Sequence, residues 1–229
     1  MKVEPKVLPR AGNAYDLSAL IDANLRLRWA ETDGAPFAVL AERGEPLNDE
    51  LLPELPGEEL RALHRGMILL RAMDTRCLAL QRQGRIGFFV PSTGEEALMI
   101  GSAHPLRPED WVFPAYRETG VALHRGFPPA DLLCQLYGNE HDGLKGRQMP
   151  SHFGSLKYRF AVASSPVGTQ IPQAVGAAWA ARLRHESLVS VVYFGDGATS
   201  TGDFHAGMNL VGVMHLPVVL ICKNNGWAI

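Results

Sequence analysis

The sequence predicts an α/β protein built on a mostly parallel sheet that is covered by helices. Almost continuously apolar segments at 188–194 and 217–222 have the composition of strands buried on both faces, which is typical of parallel sheets. The segment between them, roughly Asp203 to His215, is long enough to be a crossover helix, and such crossovers join parallel neighbours.

Residues 1–56 are predicted to form a helical or extended N-terminal arm and linker, and residues 57–229 the main domain. We expect an extended arm at 1–15 and a helix from Asp16 to Asp33, where apolar residues recur at helical spacing. Four prolines within 34–57 predict a loop-rich connection.

In the main domain, helical spacing of apolar residues predicts a long helix from Gly57 to Gln83. Thr93 and Glu96 match a capping box, so the next helix is expected to begin there and to run to about Ala103. A short strand is predicted at Trp111–Phe113, and further helices at Pro129–Leu136 and Pro172–Arg184.

Within the helix expected at 203–215, the segment from Phe204 to Met214 is apolar nearly all round, apart from His205 and Asn209. Such a helix is buried, either in a large core or against a partner chain. His205 is accordingly interpreted as a core or interface histidine.

The composition excludes several classes of protein. A net charge of −2 without a Lys/Arg-rich run argues against nucleic-acid binding, and no apolar run reaches the roughly 20 residues of a membrane span. The three cysteines lie in or beside apolar segments and are predicted to be buried, reduced thiols. Because no signal-peptide core is present at the N-terminus, we expect a cytoplasmic location.

Two polar loop tips carry the strongest chemical signal. Gly195-Asp196-Gly197 ends one predicted strand, and Asn224-Asn225 ends the next. Each dipeptide alone is only a turn signal. Because parallel neighbours end at the same sheet edge, however, Asp196 and Asn225 are expected to converge there. A carboxylate and an amide oxygen suit a hard divalent cation that also binds phosphate oxygens.

This pairing resembles the motif of thiamine-diphosphate enzymes. Five longer segments extend the likeness to the alpha subunit of a 2-oxo acid dehydrogenase first component, with the branched-chain (2-oxoisovalerate dehydrogenase) type closest. The similarity covers roughly residues 57–229, and the chain ends earlier than such subunits do. The segments that carry it are Gly84–Phe88, Tyr116–Glu118, Gly146–Gly154, Ser164–Gly176 and Lys223–Ile229.

The resemblance implies a thiamine-diphosphate-binding fold and an α2β2 heterotetramer with a beta subunit, which supplies the glutamate that activates the coenzyme. It further implies decarboxylation of a small 2-oxo acid in branched-chain amino acid catabolism. The acyl group would pass to the lipoyl group of an acyltransferase partner.

The resemblance also assigns site residues. Magnesium would be bound by the side chains of Asp196 and Asn225 and by the Trp227 carbonyl. Arg suits diphosphate binding because its planar fork donates two parallel hydrogen bonds, whereas Lys223 stands where the family often has Arg. The residues implied to bind the cofactor are Tyr116, Arg117, Ser165, Gly195, Gly197, Ala198 and Lys223.

Three further roles follow from the same resemblance. His152 would be the active-site proton donor or substrate-facing group. Phe88 would wall the substrate pocket, although it and Phe89 could equally be core aromatics. A potassium site would use Ser164, the Pro166 carbonyl, Thr169 and Gln170, while helix capping by Ser165 or Thr169 explains the same residues.

Several alternatives remain open. The substrate could be pyruvate or acetoin, and a chain that stops after the Asn pair could be a catalytically inactive assembly fragment. A dinucleotide-binding oxidoreductase is disfavoured, because Ser200 occupies its third glycine position and no acid ends the next strand. A phosphate-loop nucleotidase is excluded because its motif is missing.

Overall fold

A computed structural model describes residues 38–47 and 52–227 and divides the chain into two compact units, 1–57 and 58–229. The arm predicted at 1–15 and the helix predicted at 16–33 lie outside the described residues. In the first unit, an antiparallel bridge between Leu40 and Pro46 closes a tight turn. This turn agrees with the loop-rich connection that the prolines predict.

The rest of the described chain alternates helices with strands. The structure confirms the mixed α/β fold, and most boundaries lie within two residues of their predicted positions. The elements are α1 (Gly57–Arg82), α2 (Glu96–Ala103), β1 (Trp111–Phe113), α3 (Thr119–His124), α4 (Pro129–Tyr137), α5 (Gln170–Leu183), β2 (Ser190–Gly195), a 3₁₀ helix (Asp196–Ser200), α6 (Gly202–Met214) and β3 (Val218–Lys223).

The three strands form a parallel sheet in the order β1-β2-β3. β2 pairs with β3 from Ser190 opposite Val218 to Gly195 opposite Lys223. The crossover through α6 is therefore as predicted, and the two strands end in register at one edge.

The core covers the central strand on both faces. Val191 and Tyr193 pack into a cluster with residues of α1 and α2, including Leu70. The alternate residues Val192 and Phe194 pack into a second cluster with Ile171 of α5. Since strand side chains alternate between faces, β2 lies between two helical layers.

The start of α2 differs from the prediction. The helix begins at Glu96, and its N-cap, Glu95, makes no capping side-chain bond. Glu96 bonds instead to the Arg71 guanidinium through Oε1 and to the Gly94 amide through Oε2. The capping box does not form because Arg71 of α1 binds the carboxylate of Glu96.

The short helix α3 was not predicted. It has six residues and includes Gly120, so neither its length nor its propensity marks it as a helix. Thr119, Gly120, Val121 and Ala122 are nevertheless all buried. Tertiary packing rather than local preference forms this element.

Helix α6 is far more exposed than its composition predicts. Of its residues only Gly207 is buried, whereas Val213 is 67% exposed. The interpretation as a helix in a large core is wrong within the described chain, and burial against a partner remains a prediction. His205 is likewise exposed and is not a core histidine.

The prediction of three buried thiols is correct only in part. Cys77 is buried and Cys134 is half-buried, but Cys222, near the end of β3, is exposed. All three cysteines are free, as expected.

Candidate cofactor site

The two polar loop tips lie at the same edge of the sheet. Gly195 is the register partner of Lys223, so Asp196 follows β2 by one residue and Asn225 follows β3 by two. Adjacent strands are only about 4.8 Å apart. The half-exposed Asp196 and the exposed Asn225 therefore follow the ends of two adjacent strands at one edge of the sheet.

The loop after β3 is held in shape by its own asparagines. Asn224 Oδ1 accepts a hydrogen bond from the Gly226 amide, and Asn225 Oδ1 accepts one from the Trp227 amide, both at 2.9 Å. Gly226 has a positive φ of 72°, which glycine adopts without strain. An amide oxygen has two lone pairs, so Asn225 can still ligate a cation.

The loop after β2 forms a single 3₁₀ turn. Its residues include Gly197 and the buried Ala198, and Thr199 Oγ1 donates to the Asp196 carbonyl at 2.7 Å. A Cβ built on Gly195 would lie 4.0 Å from the Lys223 carbonyl oxygen, in ordinary contact. Packing against β3 therefore does not require a glycine at position 195. Its predicted role, to let the backbone approach the cofactor diphosphate, stays a prediction.

Tyr116 and Arg117 follow β1 and so lie at the same end of the sheet. The Arg117 guanidinium carbon is 5.6 Å from the centre of the Tyr116 ring, within cation–π range. Arg117 Nη1 donates to the Pro91 carbonyl at 2.5 Å. These contacts orient the fork, and its remaining donors can bind an anion.

Lys223 is not a free cation. Its side chain is 8% exposed, and its Nζ lies 2.8 Å from Glu95 Oε2 and 2.5 Å from Glu118 Oε1. Burial lowers the pKa of Lys223, but attraction to Glu118 and hydrogen bonds to both carboxylates outweigh it, and the pKa is raised. The two glutamates were missed by sequence reasoning, although Glu118 stands within the Tyr-Arg-Glu segment that carries the resemblance.

His152 and Ser165, predicted separately, are in contact. Nε2 of the buried His152 ring lies 2.5 Å from Ser165 Oγ, and Nδ1 lies 3.0 Å from the Pro150 carbonyl. Because a carbonyl only accepts, Nδ1 carries the proton in the neutral ring, and Nε2 accepts from the Ser165 hydroxyl. This tautomer assignment follows from the hydrogen-bond partners.

The first residue of α5, Gln170, has a buried side-chain oxygen that lacks a partner in the described part of the chain. Gln170 Nε2 donates to the Tyr193 carbonyl at 2.8 Å, but among the described residues its Oε1 has no hydrogen-bond partner. Thr169 makes no side-chain cap on α5, so the alternative of capping by Thr169 is not observed. An orphaned oxygen beside the Ser164 and Pro166 turn suits a monovalent cation.

The small number of carboxylates at the site limits the type of metal ion that it could bind. Over 38–47 and 52–227, no group of three or more His, Cys, Asp or Glu side chains could hold a metal ion. A magnesium ion that binds phosphates needs only one or two protein carboxylates, so Asp196 with Asn225 fits that use.

The loop 84–92 separates the two aromatics that were considered for the substrate pocket. Phe88 is 44% exposed, whereas Phe89 is 3% exposed and belongs to the core. The Val90 amide donates to Ser151 Oγ at 3.3 Å, which ties this loop to the His152 segment. Phe88 is therefore available to a ligand and Phe89 is not.

Comparison with known proteins places the chain in a family. Residues 64–229 match the family model of the dehydrogenase E1 component, a family that depends on thiamine diphosphate. The chain is 45% identical over 193 residues to the mitochondrial 2-oxoisovalerate dehydrogenase subunit alpha of Dictyostelium discoideum, covering 84% of this chain and 44% of the relative. The corresponding Homo sapiens protein is also 45% identical, with 43% of its length covered. The chain thus spans less than half the length of these relatives.

The relatives overturn one prediction. The expectation of a cytoplasmic location is wrong, because these proteins are named as mitochondrial. Within the described ranges, no helix is both long and apolar enough to cross a membrane. The family match covers well over half of the chain, which therefore belongs to the dehydrogenase E1 component family.

Proposed function

We propose that this chain is the diphosphate-binding part of an alpha subunit of a 2-oxo acid dehydrogenase first component. With its beta subunit it would decarboxylate a small 2-oxo acid oxidatively and transfer the acyl group to the lipoyl group of an acyltransferase. The observation that carries the proposal is the β2–β3 register, which brings Asp196 and Asn225 to one edge. Branched-chain substrates are favoured over pyruvate and acetoin by the names of the relatives.

Asp196 and Asn225 would bind magnesium, with the Trp227 carbonyl as a third protein ligand. Asp196 would be the only anionic ligand from this chain. The ion would hold the diphosphate of the cofactor, and thiamine diphosphate, when bound, supplies an electron sink for decarboxylation. The protein's contribution at this edge is position and charge.

Arg117 would bind the diphosphate with the guanidinium N–H groups that do not donate to the Pro91 carbonyl. The stacking against Tyr116 and the bond to Pro91 fix the guanidinium plane before a ligand arrives. A side chain ordered in advance loses less entropy on binding. Arg117 and Tyr116 therefore act as a preformed anion clamp in this proposal.

His152 would hold and move a proton close to the reacting centre. Its Nδ1–H is anchored on Pro150, so Nε2 is the nitrogen that can exchange a proton, through or beside the Ser165 hydroxyl. An imidazole suits this task because it titrates near neutral pH when unperturbed. We assign His152 the role of proton donor, which requires a proton on Nε2, or of a substrate-facing group. We assign Phe88 to the substrate pocket.

Potassium would be bound by the turn that precedes α5 together with the orphaned Gln170 oxygen at the start of that helix. Ser164, the Pro166 carbonyl and Thr169 would complete the donor set. Since α5 begins at Gln170 and its Nε2 is bonded to β2, such an ion would stiffen the junction between α5 and the central strand.

The experiment is substitution of Asp196 by Ala in the protein assembled with its partner subunit. We expect magnesium-dependent affinity for thiamine diphosphate, measured by calorimetry, to be lost, because the metal loses its anionic ligand. Asp203→Ala, at an exposed position on α6, is the matched control and should bind normally. Unchanged affinity in Asp196→Ala would refute the site, and a panel of 2-oxo acids would test the substrate class.

A further inference from the structure

Glu118 is a fully buried acid that links two loops of the candidate site. Its side chain is 0% exposed, Oε2 accepts the Arg117 amide at 3.1 Å, and Oε1 lies 2.5 Å from Lys223 Nζ in an ion pair. Arg117 follows β1, and Lys223 ends β3, two strands away in the sheet. One carboxylate thus connects strand ends on either side of β2.

Further ion pairs and hydrogen bonds join Glu118 and Lys223 into a closed network. Lys223 also pairs with Glu95, which precedes α2. Four residues before Glu95, the Pro91 carbonyl accepts the Arg117 guanidinium. The 91–95 loop, the Arg117 loop and the end of β3 are therefore bound to one another through Glu118 and Lys223.

The buried charges explain why this network is rigid. A buried carboxylate or ammonium without its partner costs several kcal/mol, so both ions are strongly held in place. Lys223 pairs with the carboxylates of Glu118 and Glu95, whose side chains are 0% and 23% exposed. Its ammonium is therefore committed to the protein and is not presented to a phosphate.

We propose that Glu118 is a positioning residue of the diphosphate–metal site. It holds Lys223 away from the ligand and sets the distance between the Arg117 clamp and the Asn224-Asn225 loop. The inference rests on the proposed function, which names the ligand, but it assigns Lys223 a different task from the direct phosphate contact that the resemblance implies.

A double-substitution cycle on the assembled protein separates the two tasks. Glu118→Gln and Lys223→Met should each weaken magnesium-dependent affinity for thiamine diphosphate by about tenfold. The first removes one of the two carboxylates that hold Lys223, and the second leaves both carboxylates without their cation. The double variant should be no weaker than the worse single variant, since directly coupled residues are non-additive. If the affinity losses of the two single variants multiply in the double variant, Lys223 acts on the ligand independently, and the proposal is overturned.

Hydrogen exchange without ligand supplies a readout that activity does not. In Glu118→Gln we expect faster exchange of the Gly226 and Trp227 amides, which the ordered loop protects, with core strand β2 unchanged. Glu140→Gln, whose side chain is 87% exposed, is the control and should match wild type. Unchanged loop exchange together with unchanged affinity in Glu118→Gln would reject the positioning role.

The outcomes distinguish this proposal from the proposed function. If the wild-type assembly fails to bind thiamine diphosphate with magnesium, the function fails. If wild type binds and folded Glu118→Gln binds equally well, only the positioning role fails. Should Glu118→Gln not fold, Glu118→Asp takes its place, because it retains the charge but is too short to reach both Arg117 and Lys223. Wild-type affinity and loop exchange in that variant would overturn the role.

Discussion

At the scale of single residues, the environment of each buried acid decides how it responds to pH. Burial raises the pKa of Asp74, although hydrogen bonds from the Ser92 amide and hydroxyl oppose this shift. Glu96 behaves oppositely, since the hydrogen bond from Arg71 lowers its pKa. Ser92 follows Pro91, so Asp74 supports the loop on which the Arg117 guanidinium rests.

We expect the substitution Asp74→Asn to change the pH dependence of stability. A raised native pKa means that the folded state binds the proton more tightly, so the contribution of Asp74 is largest below the ordinary value of 3.8 and is lost as the pH rises through the native pKa. Asparagine does not titrate and can still accept from Ser92. The free energy of unfolding of Asp74→Asn, relative to wild type, should therefore increase from pH 4 to pH 7.

Urea denaturation at several pH values measures this difference. The exposed substitution Asp203→Asn is the control and should run parallel to wild type. A constant difference between Asp74→Asn and wild type across the range would mean that the native carboxyl has its ordinary pKa.

Residues of the candidate site differ in how far sequence could predict them. The convergence of Asp196 and Asn225 was predictable, because strand ends in a parallel pair follow from the pattern of apolar runs. The Glu95–Lys223–Glu118 cluster was not, because its members are far apart in sequence and its pairing depends on tertiary packing. The contact between His152 and Ser165 likewise depends on how two irregular loops meet.

At the scale of elements, the predictions succeeded where one pattern was long and undisturbed. β2, β3, α1 and α6 have apolar periods that a single helix or strand explains. α3 was missed because its six residues are ordered by burial, and α2 was started too early because Arg71 captures Glu96. Local signals fail where a distant side chain competes for the same group.

The contact between α5 and α6 depends on a glycine, which provides a prediction with an internal control. A Cβ on Gly207 would lie 2.7 Å from Ile171 Cγ2, a methyl group of a fully buried side chain, whereas a Cβ on Gly212 would meet nothing within 4 Å. We expect Gly207→Ala to destabilise the fold by about 1–3 kcal/mol through overpacking. Gly212→Ala should instead stabilise it by up to about 1 kcal/mol, through helix propensity.

Chemical denaturation of the two variants provides the measurement. Both changes add one methyl group to the same helix, so their difference isolates the contact with Ile171. Equal stability of Gly207→Ala and Gly212→Ala would show that α5 and α6 can separate at little cost.

At the scale of the whole molecule, helix α6 exposes apolar residues although its composition predicts burial. Met208 is 41% exposed and Val213 is 67% exposed. Single exposed apolar residues need no explanation, but several on one helix indicate an interaction surface. The sequence left partner burial as the alternative for α6, and the relatives are named as subunits of a larger enzyme.

We therefore expect a charge on α6 to prevent assembly with the proposed beta subunit. Val213→Lys should leave the chain's own fold intact, because the side chain is already largely exposed, but a buried unpaired ammonium would oppose the interface. Leu156→Lys, at a 75% exposed loop position outside α5 and α6, is the matched control and should assemble normally. Light scattering on the co-expressed subunits measures the assembly state. Wild-type assembly of Val213→Lys would exclude this part of α6 from the interface and would leave its apolar surface without a partner.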